Sequence, residues 1–291
     1  MKVCAVIVNY NDSNNTLKLV KLLSEYKVLD KVIVVDNKSN EDAYYKLTCF
    51  KSSKYLLLRN TENMGYGEGN NIGILKAEKI GSTLCLIVNP DVEISENSII
   101  KMVDTFRRNR QALIVAPSST VNGIRVAWRV RGMLDLVFSQ LKIISKIMKA
   151  PFYSSNYYDD KTSTKVDAVL GACLMIDIIK FKKIGMYDRN MFLYEEENYL
   201  ALQCQRYNFD TILLCNDYYI HNHKSDNLKN LRQQIYTKRL MHKSLLYLTK
   251  NYCHYGNFKL FITKIVLFLS IFEVILSFSI RNVTSLVFKR K

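Results

Sequence analysis

Short apolar runs alternate with amphipathic stretches along the first third of the chain. Residues 2–8, 31–35, 55–58 and 84–88 are nearly unbroken runs of Val, Ile, Leu and Cys, the composition of strands buried on both faces. Between them the apolar residues return at helical spacing. After Asn9-Tyr10-Asn11-Asp12, a helix capped by Asp12 or Ser13 places Leu19, Leu22, Leu23 and Tyr26 on one face. A second helix is expected over residues 41–50 and a third over 72–80, the latter after a loop rich in glycine and asparagine. The order β-α-β-α-β-α-β with short connections predicts an α/β fold, a mostly parallel central sheet flanked by helices.

The run at 84–88 ends abruptly at Asn89-Pro90. Proline lacks the N–H a ladder needs and holds the preceding residue extended, so the chain turns out of the sheet there and delivers Asp91 to the carboxyl end of a strand. That edge is where open α/β sheets bind ligands. Asp91 also suits a second role, as a turn or cap residue before the helix expected at Glu96. Asn9, Asp36 and Asn63 follow the earlier strands in the same way, and four polar groups at one sheet edge predict a shared crevice.

The segment Asn63-Met64-Gly65-Tyr66-Gly67-Glu68-Gly69-Asn70-Asn71 follows the third strand, not the first, and lacks the glycine spacing of a dinucleotide fingerprint. Read as a loop, it offers close backbone approach and the amides of Asn70 and Asn71 to a diphosphate.

Beyond a strand at 113–116 the alternation is lost. A strand over 125–130, a helical stretch over 134–148, a polar loop over 151–165 and a buried strand over 168–176 are expected. Glu195, Glu196 and Glu197 open a helix reaching about Tyr207, where three carboxylates favour the helix dipole. Short strands at 210–215 and 218–220 lead into His221-Asn222-His223, whose alternate residues share a face.

Charge changes the picture at the far end. From Lys224 to Lys291 there are thirteen lysines and arginines against two acids, Asp226 and Glu273, so +11 of the net +16 lies in the last quarter. An anionic partner surface is implied. Residues 260–280 are apolar enough to suggest a membrane span, but Lys264 and Glu273 interrupt them. Thr263, Ser270, Glu273, Ser277 and Arg281 return to one side of a helical wheel, which reads as a narrow polar face on an in-plane amphipathic anchor, with Lys289-Arg290-Lys291 beyond. A true span and a helix pair packed on the domain or in a homodimer are the alternatives. The tail is too apolar for a nucleic-acid module. Seven cysteines without C-x-x-C spacing suit a reduced, cytoplasmic protein, and the early first strand leaves no room for a signal peptide. Residues 1–225 are expected to form the main domain, split near 117 into a nucleotide-binding half and an acceptor-side half, with 226–291 a helical, membrane-associating extension.

Taken in order, these segments resemble family 2 glycosyltransferases of the GT-A fold, especially bacterial rhamnosyltransferase-like enzymes of O-antigen and capsule synthesis. The resemblance covers about residues 3–223. It rests on Val-Ile-Val-Asn9-Tyr10-Asn11, Val-Val-Asp36-Asn37-Lys-Ser39, Asn63-x-Gly65-Tyr66-Gly67-x-Gly69-Asn70-Asn71-x-Gly73, Asn89-Pro90-Asp91, and Gly171-Ala172-Cys173 through Phe192-Leu193-Tyr194. It implies inverting transfer of a sugar, dTDP-rhamnose favoured and a UDP-hexose next, from a nucleotide-diphosphate donor to a hydroxyl of a lipid-linked saccharide. Glu197, with Glu196 second, would be the base. Asn9, Asp36, Asn63, Gly65, Asn70, Asn71 and Asn89 would bind the donor, and Asp91 with His223 would hold Mg²⁺ or Mn²⁺. The protein would sit peripherally on the inner face of the cell membrane. Five residues depart from the family pattern that the resemblance implies: its first metal-motif aspartate is Asn89, its Glu-Asp pair falls on Glu196-Glu197 so that the base would be a glutamate, and a later aspartate, arginine and glycine fall on Tyr199, Gln203 and Asn208. A non-catalytic nucleotide-sugar or saccharide-binding relative is therefore the alternative. An oxidoreductase would need the glycine fingerprint after the first strand, where this chain has Asn9-Tyr10-Asn11.

Overall fold

The computed structural model describes residues 1–118, 120–121, 124–125, 127–148, 151–222 and 230–288. The chain divides into two units. The first comprises residues 1–128, 153–192 and 196–222; the second comprises 129–152, 193–195 and 223–291.

The first unit opens as the apolar pattern predicts. Strands β1 (Val3–Asn9), β2 (Lys31–Asp36), β3 (Tyr55–Arg59) and β4 (Leu84–Val88) alternate with α1 (Ser13–Glu25), α2 (Glu41–Cys49) and α3 (Gly65–Lys79). A two-residue strand β5 (Val92–Glu93) precedes α4 (Glu96–Arg108) and β6 (Ala112–Ser118). Small strands follow: β7 (Thr120–Val121), β8 (Ile124–Arg125) and β9 (Ala127–Trp128), in place of the single strand expected over 125–130. β10 (Ser163–Val166), β11 (Ala168–Val169), β12 (Cys173–Asp177), α7 (Ile178–Lys183), α8 (Glu196–Tyr207), β13 (Asp210–Tyr218) and β14 (Ile220–His221) complete the unit.

Eight strands form one sheet in the order β10-β13-β6-β12-β4-β1-β2-β3. β1 to β4 are parallel to one another, as are β6 and β13, while β12 runs antiparallel between β4 and β6. Side chains alternate across the sheet, so Val3, Ala5 and Ile7 of β1 pack with Leu19, Val20 and Leu23 of α1. The opposite face of β1 meets α3.

That helix is the main departure from the sequence expectation. The Gly/Asn segment is not a loop running into a helix at 72; it is the first two turns of α3. Its glycines allow the helix to lie directly on the sheet. A Cβ on Gly73 would come within 2.4 Å of Val6 Cγ1, and one on Gly69 within 3.0 Å of Val8 Cγ1. Glycine's low helix propensity is overridden by this contact.

In the second unit, the expected helix over 134–148 is broken into α5 (Met133–Leu136), a 3₁₀ turn at Phe138–Gln140 and α6 (Lys142–Met148). Two long helices follow, α9 (Leu231–Asn251) and α10 (Asn257–Phe288). They pack against each other as a hairpin, with Ser270 Oγ and His242 Nε2 sharing a hydrogen bond of 3.0 Å. The polar stripe expected to face water on α10 is turned the other way. Thr263 and Ser270 are buried against α9, and Glu273 Oε2 accepts from the backbone N–H of Lys142 at 2.9 Å. The side chain of Arg281 and residues 289–291 lie outside the described residues.

Candidate active site

Pro90 shapes the end of β4. Val92 N–H donates to Asn89 O at 3.2 Å, closing a turn with proline at its second position. The helix that follows is capped by Ser95, whose Oγ accepts from Ser98 N at 3.1 Å, so Asp91 is not the cap. Asp91 instead meets the chain returning from β13. β14 pairs antiparallel with β5, Asn222 N–H donates to Asp91 O at 2.9 Å, and His221 Nε2 lies 3.2 Å from Asp91 Oδ1. Both side chains remain partly open to solvent, 21% for Asp91 and 22% for His221. His223, the histidine expected here, lies outside the described residues.

The glutamate cluster is anchored next door. β12 pairs with β4 so that Cys173 is opposite Val88, and Asn89 N–H donates to Ala172 O at 2.8 Å. One residue earlier, Gly171 N–H donates to Glu197 Oε1 at 3.0 Å. Tyr66 Oη donates to Gly171 O at 2.7 Å and holds the same residue from α3. Tyr66 N–H also donates to Phe192 O at 3.0 Å, which requires Gly65: at φ +84° a Cβ would come 2.2 Å from that oxygen. Tyr194 and Glu195, both at φ +71°, precede α8, so the helix opens with two carboxylates and not three. Glu196 is buried. Burial pushes the Glu197 carboxyl above the usual glutamate range, against the lowering effect of the N–H groups aimed at it. Trp128 Nε1 donates to Asn198 Oδ1 at 2.7 Å, bringing the chain's one tryptophan to the residue after Glu197.

The asparagines expected to contact a donor form an internal scaffold. Asn9 is buried; its Nδ2 donates to Asp36 Oδ1 at 2.8 Å and Ser39 Oγ at 2.9 Å, and its Oδ1 accepts from Thr16. Asp36 also accepts from Ser39 N. Asn37 links Asn63 Oδ1, Gly65 O and Asn60, tying the ends of β2 and β3 to the start of α3. Asn70 donates to Tyr66 O. Asn71 donates to Tyr187 O at 2.9 Å and accepts from Tyr187 N at 3.1 Å. Asn70 and Asn71, expected as diphosphate donors, are both buried with these internal partners. Asn63 and Asn89 stay partly exposed beyond the ends of β3 and β4.

The sequence matches the family model described as glycosyl transferase family 2 over residues 4–173, which is more than half of the chain. The chain belongs to glycosyl transferase family 2. No curated protein matches it significantly. Among solved structures it is similar to the mannosyltransferase PcManGT from Pyrobaculum calidifontis in complex with GDP-Man and Mn²⁺, at TM-score 0.60 and 11% identity, covering 98% of this chain and 75% of that one. It is similar to GalNAc-T7 with UDP, GalNAc and Mn²⁺ at TM-score 0.57 and 16% identity, covering 76% of this chain but only 44% of GalNAc-T7. It is also similar to S. aureus TarS 1-349, at TM-score 0.52 and 13% identity, covering 86% and 72%. These likenesses support the GT-A fold.

Within this family 2 chain, two of the departures expected from the resemblance are partners. Tyr199 and Gln203 are both buried one turn apart on α8, and Gln203 Nε2 donates to Ile184 O at 2.6 Å and Tyr199 Oη at 3.4 Å. A neutral pair fills the positions where the resemblance leads one to expect an aspartate and an arginine. The alternation of the strand flagged both His221 and His223; among the described residues, the pairing of β14 with β5 brings His221 to Asp91. Among the described residues, no three His, Cys, Asp or Glu side chains gather as a metal cage.

Proposed function

We propose that this glycosyltransferase moves a sugar from a nucleotide-diphosphate donor to an acceptor hydroxyl with inversion at the anomeric carbon, Glu197 acting as the base. The observation that carries this reading is the short path from one carboxylate to the other. Glu197 is held on Gly171 N, and Ala172 O receives Asn89 N at the turn bearing Asp91. Glu197 takes the acceptor proton as the new C–O bond forms and the bond to the diphosphate breaks, releasing a nucleoside diphosphate. A carboxyl whose affinity for protons is raised by burial is the better acceptor for that step.

Asp91 Oδ1 and His221 Nε2 are an oxygen and an imidazole nitrogen within one ion's reach of each other, a fit to Mg²⁺ or Mn²⁺ with the remaining positions left to the donor's diphosphate and water. Such an ion, when bound, offsets the charge developing on the leaving diphosphate. PcManGT with GDP-Man and GalNAc-T7 with UDP each carry Mn²⁺ in their structures, which supports the assignment. Asn63 and Asn89, partly exposed at the same edge, suit contacts to ribose or phosphate, and Asp36 holds the loop expected to receive the base. The favoured donor is dTDP-rhamnose, then a UDP-hexose, and the acceptor a lipid-linked saccharide of surface-polysaccharide synthesis.

The test is a panel of nucleotide sugars with Mn²⁺ present. The matching donor should raise the melting temperature and be slowly hydrolysed, and Glu197→Gln should keep the first effect and lose the second. A panel in which no donor does either would overturn the proposal.

A further inference from the structure

The α9–α10 hairpin leaves its most apolar surface outside. With Thr263 and Ser270 buried against α9, helical spacing turns Phe258, Phe261, Phe268, Phe272, Leu276 and Ile280 outward, and all six are exposed. This face continues for most of the helix. Lys264 stands at its rim, about a quarter turn from the centre line by helical spacing. So large a continuous apolar face needs a partner. The geometry points to an anionic bilayer surface as that partner, with α10 lying in the membrane plane.

Three observations select that occupant. The stretch Asn257–Ile280 is long and apolar enough to cross a membrane by length and composition. A span would, however, carry α9 with it, and α9 presents exposed Arg232, Arg239, Lys243 and Lys250 along its length. Four uncompensated cations in hydrocarbon are far more costly than one buried helix face returns. A second copy of the chain is disfavoured by charge: between residues 230 and 280 there are seven lysines and arginines against the single acid Glu273, so a symmetric pair would bring like charges together. An anionic headgroup layer complements both features at once. Phenylalanine rings enter the acyl boundary while Lys264 reaches the phosphates beside them. The inference does not depend on which sugar is transferred, or on transfer at all.

The experiment is co-sedimentation of the full chain with phosphatidylcholine vesicles, with and without phosphatidylglycerol. The wild type should bind the mixed vesicles best and be partly released by high salt. Phe268→Glu with Phe272→Glu should lower the bound fraction by about tenfold or more at unchanged melting temperature, because two rings leave the acyl boundary. Lys264→Glu should weaken binding only where phosphatidylglycerol is present. Equal binding by wild type and double variant would overturn the proposal. So would a solution dimer that the double variant splits while no vesicle binding is seen. Bound protein that resists alkaline carbonate would mark a span and overturn the in-plane placement.

Discussion

Gly171 N–H holds Glu197 Oε1 at 3.0 Å, while the carbonyl of the same residue is held by Tyr66 Oη. The carboxylate is thus aimed by backbone and not by another charged side chain, so its orientation survives changes in nearby charge. Glu197→Gln keeps the hydrogen bond and removes the base. It should lower kcat by about 10²–10⁴-fold with donor affinity unchanged in a nucleotide titration. Since the base must be ionised, kcat/KM should rise with pH through an apparent pKa above the ordinary glutamate range, and that limb should vanish in the variant.

Asp91 and His221 make a separate prediction. Asp91→Asn and His221→Ala should each weaken Mn²⁺-dependent nucleotide binding by about 10–100-fold, measured calorimetrically, while metal-free binding stays constant. Equal losses with and without Mn²⁺ would place both residues on the nucleotide itself.

Gly73 against Val6 predicts a packing defect with a remedy. Gly73→Ala should destabilise the fold by about 1–3 kcal/mol in urea unfolding, since the new methyl would come 2.4 Å from Val6 Cγ1 on a rigid strand. Adding Val6→Ala should return part of that loss, so the two changes should couple by about 1 kcal/mol or more in a double-mutant cycle.

His242 gives the helix hairpin a pH dependence. Burial first, and Lys238 second, hold its pKa down to about 4, against about 6.5 in an unfolded chain. The fold therefore favours the neutral ring. Its contribution is complete above about pH 6.5 and is lost progressively as the pH falls towards 4. Amide exchange in α9 and α10 should speed up on going from neutral pH to pH 5 beyond the intrinsic trend, and His242→Leu should flatten that change.

Much of the sheet was legible because its strands are buried on both faces. Runs such as Val3 to Val8 admit no other reading once helices flank them, and proline marks the exit of β4 unmistakably. What local sequence did not carry is which neighbour a residue meets. Gly65, Gly67, Gly69 and Gly73 look like a loop until Val6, Val8, Tyr187 and Phe192 are placed around them; then they are the reason α3 can form where it does. Asn70 and Asn71 read with them as ligand groups, because an amide beside glycines suggests one; in the structure Asn70 bonds Tyr66 O and Asn71 bonds Tyr187. The stripe through Thr263 and Ser270 shows the same limit. Periodicity found the two sides of α10, but only α9 decides which side is covered.

Under the proposed in-plane placement, the outward phenylalanines of α10 would also set the arithmetic of substrate capture. A chain held by one face in a lipid sheet would meet the proposed lipid-linked acceptor by diffusion in two dimensions, where the relevant quantity is molecules per unit area, not per litre. Diluting enzyme-loaded vesicles in buffer should then leave the rate per enzyme unchanged. Spreading the same acceptor through more inert lipid should lower it. Surface dilution, not solution concentration, would then be the variable that governs turnover.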